Sequence, residues 1–344
     1  MKSSQPPPRY PYRPIRQPIT LAKVLGVPLP ALEQIAATSD SRYRLAKAIV
    51  KPDGSIRQPF DALEPLKDIQ RRIKQRILAA VVFPDYLTGS LKGKDARKNA
   101  ELHERTGTVL CEDVEGFFPN TNALLIDAIW RGFFGFSSEV ASLLTQLTTK
   151  DGSLPQGAIT SSHLANLAFW RTEHSLYLSM SAEGLNYSRY VDDITISSST
   201  PLSNDEITRC IARVYGMMLA CGYKAKRKKQ EIQRSHLPMR VTKLNVNRRA
   251  AIPAADRHAI RAAVYQLEEL ASTGDMSGVS ISINSVAGRV NRLGQMHAAE
   301  AMLLKERITT LRAVLSLQAS ASLEHQSAAD PFEDAILPAA GPAS

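Results

Sequence analysis

The stretch that most constrains this chain is Arg189-Tyr190-Val191-Asp192-Asp193-Ile194-Thr195-Ile196-Ser197, two adjacent carboxylates set between β-forming residues. Like charges repel and Asp is a poor strand residue, so the pair disfavours an uninterrupted strand and fits the tight turn of a hairpin over 187–197. Taken alone, such a turn asks for nothing more than two solvated Asp side chains. A second acidic strand end shifts the balance: 108–114 reads as a short strand that reaches Asp113, within Glu112-Asp113-Val114-Glu115-Gly116-Phe117-Phe118.

Two carboxylate-bearing strand ends in one chain suit a hard divalent cation. Magnesium takes oxygen ligands in near-octahedral geometry and keeps water and substrate phosphates for the remaining positions. Two such ions roughly 3.5–4 Å apart can activate a hydroxyl and stabilise a leaving pyrophosphate. Asp113 and Asp192 on neighbouring strands would supply that pair of sites. Other metal chemistries are disfavoured, because the three cysteines, Cys111, Cys210 and Cys221, have no CxxC spacing and no clustered His. A disulfide framework is disfavoured on the same count.

The chain carries a formal charge of +10, and the excess is concentrated. Between Gly222 and Arg261 lie twelve Lys or Arg residues against two acids, a local excess equal to the charge of the whole protein. Ile232, Leu237, Val241, Leu244 and Val246 interrupt this run, so it reads as folded, and a folded basic surface suits a phosphate backbone. A solvated charged face remains the alternative. Leu66, Ile69, Ile73, Ile77 and Val81 recur at spacings of three and four, which predicts an amphipathic helix over 64–82 with Pro65 in its first turn. Its other faces carry Lys67, Arg71, Arg72, Lys74 and Arg76, which either meet a polyanion or form an ordinary packed surface.

Helices are also predicted over 122–134, 161–182, 204–221, after Pro253 with Ile260, Val264, Leu267 and Leu270 on one stripe, and from about 285 to 315. Residues from Ser316 onward are Ala/Ser/Pro-rich and read as a frayed tail. With 44% hydrophobic residues a sizeable core is available. No run of 18 apolar residues and no apolar N-terminal leader occur, so neither a membrane span nor secretion is expected, and the cytoplasm is the default compartment.

In these boxes the chain resembles bacterial reverse transcriptases. Tyr190-Val191-Asp192-Asp193 is similar to their Tyr-x-Asp-Asp box, and Asp113 through Phe118 to the preceding Asp-x-x-x-Phe-Phe box. Leu154-Pro155-Gln156-Gly157-Ala158 resembles the Leu-Pro-Gln-Gly box between them, and all stand in the family's order. Arg57-Gln58-Pro59 and Leu66 to Gln70 resemble the fingers segment, and Gly222-Tyr223 with Lys229 the segment after the catalytic hairpin. Asn99-Ala100-Glu101-Leu102-His103 is similar to the Asn-Ala-x-x-His box of retron reverse transcriptases. Val241-Thr242-Lys243-Leu244 resembles their Val-Thr-Gly-Leu box, with Lys243 where the family has Gly.

The resemblance, which covers about 40–315, implies an α+β right-hand polymerase. Its parts would be an N-terminal extension over 1–40, fingers over 41–107, a palm over 108–250, a short helical thumb over 251–315 and a flexible tail over 316–344. It implies RNA-directed DNA synthesis with Asp113, Asp192, Asp193 and the Val114 carbonyl at two Mg²⁺ ions, Mn²⁺ being the alternative. Phe118 would lie under the sugar and exclude a 2′-hydroxyl, or simply pack in the core. Gln156 and Gly157 would contact the nucleotide, or form a turn. Arg57 would clamp the triphosphate, and Lys229 would donate toward pyrophosphate or, with Lys226 and Lys228, hold template. Asn99 and His103 would meet a cognate structured RNA, or cap a helix; Arg248 and Arg249 join the RNA-binding set. The implied partners are a non-coding RNA acting as template and primer, the DNA product, deoxynucleoside triphosphates and an effector protein, in anti-phage defence. A defence enzyme with protein-primed or untemplated synthesis and a non-catalytic RNA scaffold are the alternatives.

Overall fold

The β-formers on either side of Val191-Asp192 pair with each other in the computed structural model, which describes residues 5–50, 54 and 56–328. Four strands, β1 (Thr108–Asp113), β2 (Asn186–Tyr190), β3 (Asp193–Ser198) and β4 (Glu231–Arg234), form an antiparallel sheet in the order β2-β3-β1-β4. The central strands β1 and β3 are covered on both faces. Val109, Leu110, Ile194 and Ile196 are buried, and so are Thr108, Glu112, Thr195 and Ser197. Asp113 stands opposite Asp193, and Asp193 in turn opposite Tyr190 across the hairpin. The register thus brings the separate acidic strand ends together at one edge of the sheet.

The helix predicted over 64–82 runs Leu66–Arg76, followed by a single turn Leu78–Ala80, and buries Leu66, Ile69 and Ile73. Four of its five cations have partners within the protein. Arg72 donates to the carbonyls of Leu25 and Gly26 and Arg76 to that of Val24, at the end of the helix Pro18–Leu25. There, unsatisfied carbonyls and the negative end of the helix dipole favour cations. Lys67 pairs with Asp61 and Arg71 with Asp68, which favours the packed-surface reading of this helix. Two short antiparallel ribbons precede it, Tyr43–Leu45 with Phe60–Ala62 and Ile49–Val50 with Ile56–Arg57.

The N-terminal residues from Gln5 are built into this unit. Arg9 exchanges backbone hydrogen bonds with Val82, Ile15 is buried, and the Tyr10 ring packs edge-on to Phe134 with centroids 4.9 Å apart. Among the described residues no single helix is long and apolar enough to cross a membrane. The bent pair Pro18–Leu25 and Leu29–Ala37 is apolar in sum, but Leu21, Leu25 and Leu32 are fully buried in the core.

Two predicted helices differ. The expected helix over 161–182 is broken into Ser161–Asn166 and Glu173–Ala182. Arg189 from β2 donates to the Asn166 carbonyl at 2.9 Å, taking an acceptor a continuous helix would use. The expected helix over 285–315 is two, Met276–Gly294 and Ala298–Ala328. Residues 316–328, read as tail, are helical, and 329–344 lie outside the described residues. Ser138–Thr148 is a further helix, N-capped by Ser137.

The chain divides into two compact units, Met1–Ala250 and Ala251–Ser344. In the second, the helices Ala254–Ser272, Met276–Gly294 and Ala298–Ala328 bury Val264 and Leu267, Val279 and Val290, and Leu304 and Ile308. Arg307 donates Nε to Glu268 Oε1 at 2.6 Å, and Arg257 and Arg261 share Glu300.

Candidate active site

The hairpin tip is held in a conformation its own sequence does not favour. Val191 has φ +63°, in the left-handed region that costs an L-residue about 1–2 kcal/mol and is least suited to a β-branched side chain. Three contacts hold it there. Arg189 Nη1 donates to the Val191 carbonyl at 2.9 Å. Gly89 lies against the tip so closely that a Cβ there would stand 2.5 Å from the Val191 nitrogen, so only glycine fits. Asn166 Nδ2 in turn donates to the Gly89 carbonyl at 2.9 Å.

Arg189 is itself fully buried, which requires a partner. Glu173 supplies it as a two-point fork, Nε to Oε1 at 2.6 Å and Nη2 to Oε2 at 2.8 Å, and the Tyr187 hydroxyl donates to the same Oε1. Neither Glu173 nor Arg189 was expected as part of the site. Arg189 lies in the quoted box, but Glu173 reaches it only through the fold.

At the open edge of the sheet, the Val114 N–H donates to the Asp192 carbonyl at 3.0 Å, and the Lys226 N–H to the Asp113 carbonyl at 2.8 Å. Asp113 is 6% exposed. Lys229, on the single turn Arg227–Lys229, donates Nζ to Asp113 Oδ2 at 2.5 Å. The atoms packed around Asp193, and then the charges of Asp192 and Asp113, push its carboxyl up to about 7, while Lys229 pulls the other way. Burial works against the Lys229 charge, but Asp113 outweighs it and the ammonium titrates above its usual range. Next door, burial raises the Glu112 carboxyl, which accepts from Gln230 and Tyr215 and belongs to a separate network.

Asp192 and Asp193 line a pocket of about 330 Å³ together with Phe118, Gln156, Gly157, Ser90, Ser162 and Tyr190. Phe118 both faces this pocket and packs edge-on to Phe117, with centroids 5.8 Å apart. Gly157 has φ +97°, and a Cβ there would lie 2.8 Å from the Phe60 carbonyl, while the Phe60 N–H donates to the Gln156 carbonyl at 2.7 Å. The Leu154 to Gly157 loop is therefore clamped against the ribbon Tyr43–Leu45 with Phe60–Ala62, and Arg57 belongs to the other ribbon. The Arg57 side chain lies outside the described residues. A larger cavity, about 870 Å³ beside Ser198, Arg209 and Arg213, sits at the opposite end of β3 and holds none of the expected residues.

The donor set fits magnesium. Among the described residues no three His, Cys, Asp or Glu side chains form a ready-made cage. An ion that takes one or two carboxylates and leaves its other positions to water and phosphate does not need such a cage. The carboxylates crowd together, with the Lys229 ammonium against Asp113, and such a concentration of negative charge suits a divalent cation.

The RNA-binding expectation needs correction at two residues. Asn99 and His103 are fully buried. His103 bonds Ser197 Oγ through Nδ1 at 2.8 Å and Ser188 Oγ through Nε2 at 2.7 Å, joining β2 to β3 from beneath. Asn99 Oδ1 accepts from Thr88 Oγ1 at 2.7 Å, and Thr88 donates to the Arg189 carbonyl. Both brace the hairpin and present no surface to RNA; the helix cap at this place is Asp95. Lys228, Arg248 and Arg249 are exposed, and Lys226 is half-buried.

The family "Reverse transcriptase (RNA-dependent DNA polymerase)" matches residues 49–249, more than half of the chain, and the protein belongs to that family. Within it the chain is of the retron type. It is 36% identical over 211 residues to the retron Se72 reverse transcriptase of Salmonella heidelberg, covering 61% of this chain and 56% of that protein. It is 31% identical over 308 residues to the retron Ec48 reverse transcriptase of Escherichia coli, covering 83% of this chain and 74% of that one. The chain thus spans somewhat over half the length of the first of these relatives and about three quarters of the second. Apo telomerase from Candida tropicalis is a distant structural likeness, with a TM-score of 0.41 at 11% identity over 65% of this chain and 59% of that one.

Proposed function

We propose that the chain extends DNA on an RNA template by two-metal phosphoryl transfer, with 41–107 as fingers, 108–250 as palm and 251–315 as thumb. One observation carries the reading. The register that sets Asp113 against Asp193, with Asp192 at the turn, puts carboxylates beside a pocket lined by Phe118, Gln156 and Gly157. Asp113 and Asp192, with the Val114 carbonyl and Asp193 beside them, would hold Mg²⁺, or Mn²⁺ in its place. When bound, these ions activate a primer hydroxyl and stabilise the leaving pyrophosphate.

The rest is positioning by the chain. The Phe118 ring occupies the space a 2′-hydroxyl would need, selecting deoxynucleotides. Gly157 lets backbone approach the nucleotide, and Gln156 contacts it. Arg57 offers a guanidinium fork to the triphosphate. Lys226, Lys228, Arg248 and Arg249 follow the template and primer backbone as non-specific phosphate contacts.

The retron relatives support a cognate structured non-coding RNA as template and primer, with the DNA product linked to it. From the same reading follow an effector protein, a role in anti-phage defence and a cytoplasmic setting, where RNA and deoxynucleotides are at hand. Sequencing the nucleic acid that co-purifies with the full chain, after separate RNase and DNase treatment, tests this. One enriched structured RNA joined to DNA is the expected result. DNA attached to a Tyr or Ser of the protein would overturn it in favour of protein priming.

A further inference from the structure

The ion pair between Lys229 and Asp113 joins a side chain that is 46% exposed to one that is 8% exposed. The flexible stem thus reaches in from the solvent side to a nearly buried carboxylate. The backbone on both sides is fixed: the Lys226 N–H is bonded to the Asp113 carbonyl, and the Lys229 N–H to the Lys226 carbonyl at 2.8 Å. Only the side chain of Lys229 is left to move.

The Lys229 ammonium lies 2.5 Å from Asp113 Oδ2, on a carboxylate that would also be a ligand of a divalent cation. The two cations repel each other, so a metal ion at that carboxylate and the Lys229 pair weaken one another. Asp192 and Asp193 add negative charge around the same point, and Lys229 feels all three carboxylates. We infer that Lys229 is the resident counter-ion of the metal site, holding Asp113 in the metal-free protein and competing with the divalent cation for it. This rests on the metal-site reading of Asp113 proposed above.

Two consequences follow. Metal binding weakens the hold of the ammonium on Asp113, and the ion pair in turn lowers metal affinity. In the metal-free chain the same ammonium relieves repulsion among the carboxylates and so supports the fold. Removing the charge while keeping a long polar side chain separates these effects from loss of packing.

The experiment uses the full chain freed of nucleic acid and metal, with Mn²⁺ binding followed by electron paramagnetic resonance. Lys229→Gln should bind Mn²⁺ about tenfold more tightly than the wild type, the range expected of a coupling between two ligands of one site. Lys229→Arg, which keeps the cation, should stay close to the wild type. Melting in EDTA should show Lys229→Gln less stable than the wild type, with the gap closing at saturating Mn²⁺. Equal or weaker binding by Lys229→Gln, or a gap that metal does not close, overturns the counter-ion role while leaving the metal site intact. If Asp113→Asn binds Mn²⁺ as the wild type does, the metal reading itself fails and the inference falls with it.

Discussion

Replacing Glu173 by Gln keeps the side-chain volume and removes the charge that buried Arg189 faces. The two side chains are 3% and 0% exposed, so solvent screens the pair very little. Breaking such a pair at one partner costs about 3–5 kcal/mol, because the other charge is left buried. Gln can still accept one N–H from Arg189 or the Tyr187 hydroxyl, which places the expected loss near the lower end, about 3 kcal/mol. For a unit of this size that is a fall of about 6–12 °C in melting temperature. The two tryptophans, Trp130 and Trp170, both lie in the unit Met1–Ala250, so intrinsic fluorescence reports its unfolding. Adding Arg189→Met removes the stranded charge and should restore much of the stability. It also removes the hydrogen bond to the Val191 carbonyl, so the hairpin tip loses its anchor and deoxynucleotide incorporation should stay down by about a hundredfold, the cost of misplacing catalytic groups by about 1 Å. A loss below about 1 kcal/mol in Glu173→Gln would refute the energetic argument. Near wild-type activity in the double variant would show that Arg189 balances charge without positioning the carboxylates.

Other consequences are simpler to test. Phe118→Val should lower discrimination against ribonucleotides by at least about tenfold, measured as the ratio of kcat/KM for paired sugars; an unchanged ratio means the ring only packs against Phe117. Thr242 and Lys243 form a hairpin turn with φ +47° and +66°. Thr242 is tied down by its hydroxyl bond to the Ala96 carbonyl. Lys243→Gly should therefore raise stability by about 1 kcal/mol, read as the urea midpoint. RNA binding should fall steeply with salt, and replacing Lys228, Arg248 and Arg249 by Gln should reduce the log–log slope by about 1 each. A flat salt dependence in the wild type would contradict a phosphate-reading surface.

What the sequence disclosed was local. The hairpin, the strand ending at Asp113, the helix beginning at Leu66 and the helices Asn204–Ala220 and Ala254–Ser272 follow from periodicity and turn chemistry within a few residues. The partners that hold the hairpin do not, because Gly89, Asn166 and Glu173 come from distant segments and no local pattern marks them. The resemblance to the retron Asn-Ala-x-x-His box sets Asn99 and His103 against RNA, but a shared box does not say which of its side chains are buried. Ser188 and Ser197, buried polar residues on neighbouring strands, satisfy both His103 nitrogens and allow it inside. The Ala/Ser-rich end was read as tail, although Ala is the best helix former, and the helix Ala298–Ala328 continues through it.

The central claim is that Asp113, Asp192 and Asp193 form a metal-dependent polymerase centre. Primer extension on an RNA template by the purified full chain, with and without Asp192→Asn, tests it directly. With Mg²⁺ the wild type should incorporate deoxynucleotides, and the variant should lose about three orders of magnitude or more while RNA binding is retained. Incorporation by Asp192→Asn at the wild-type rate would contradict the account.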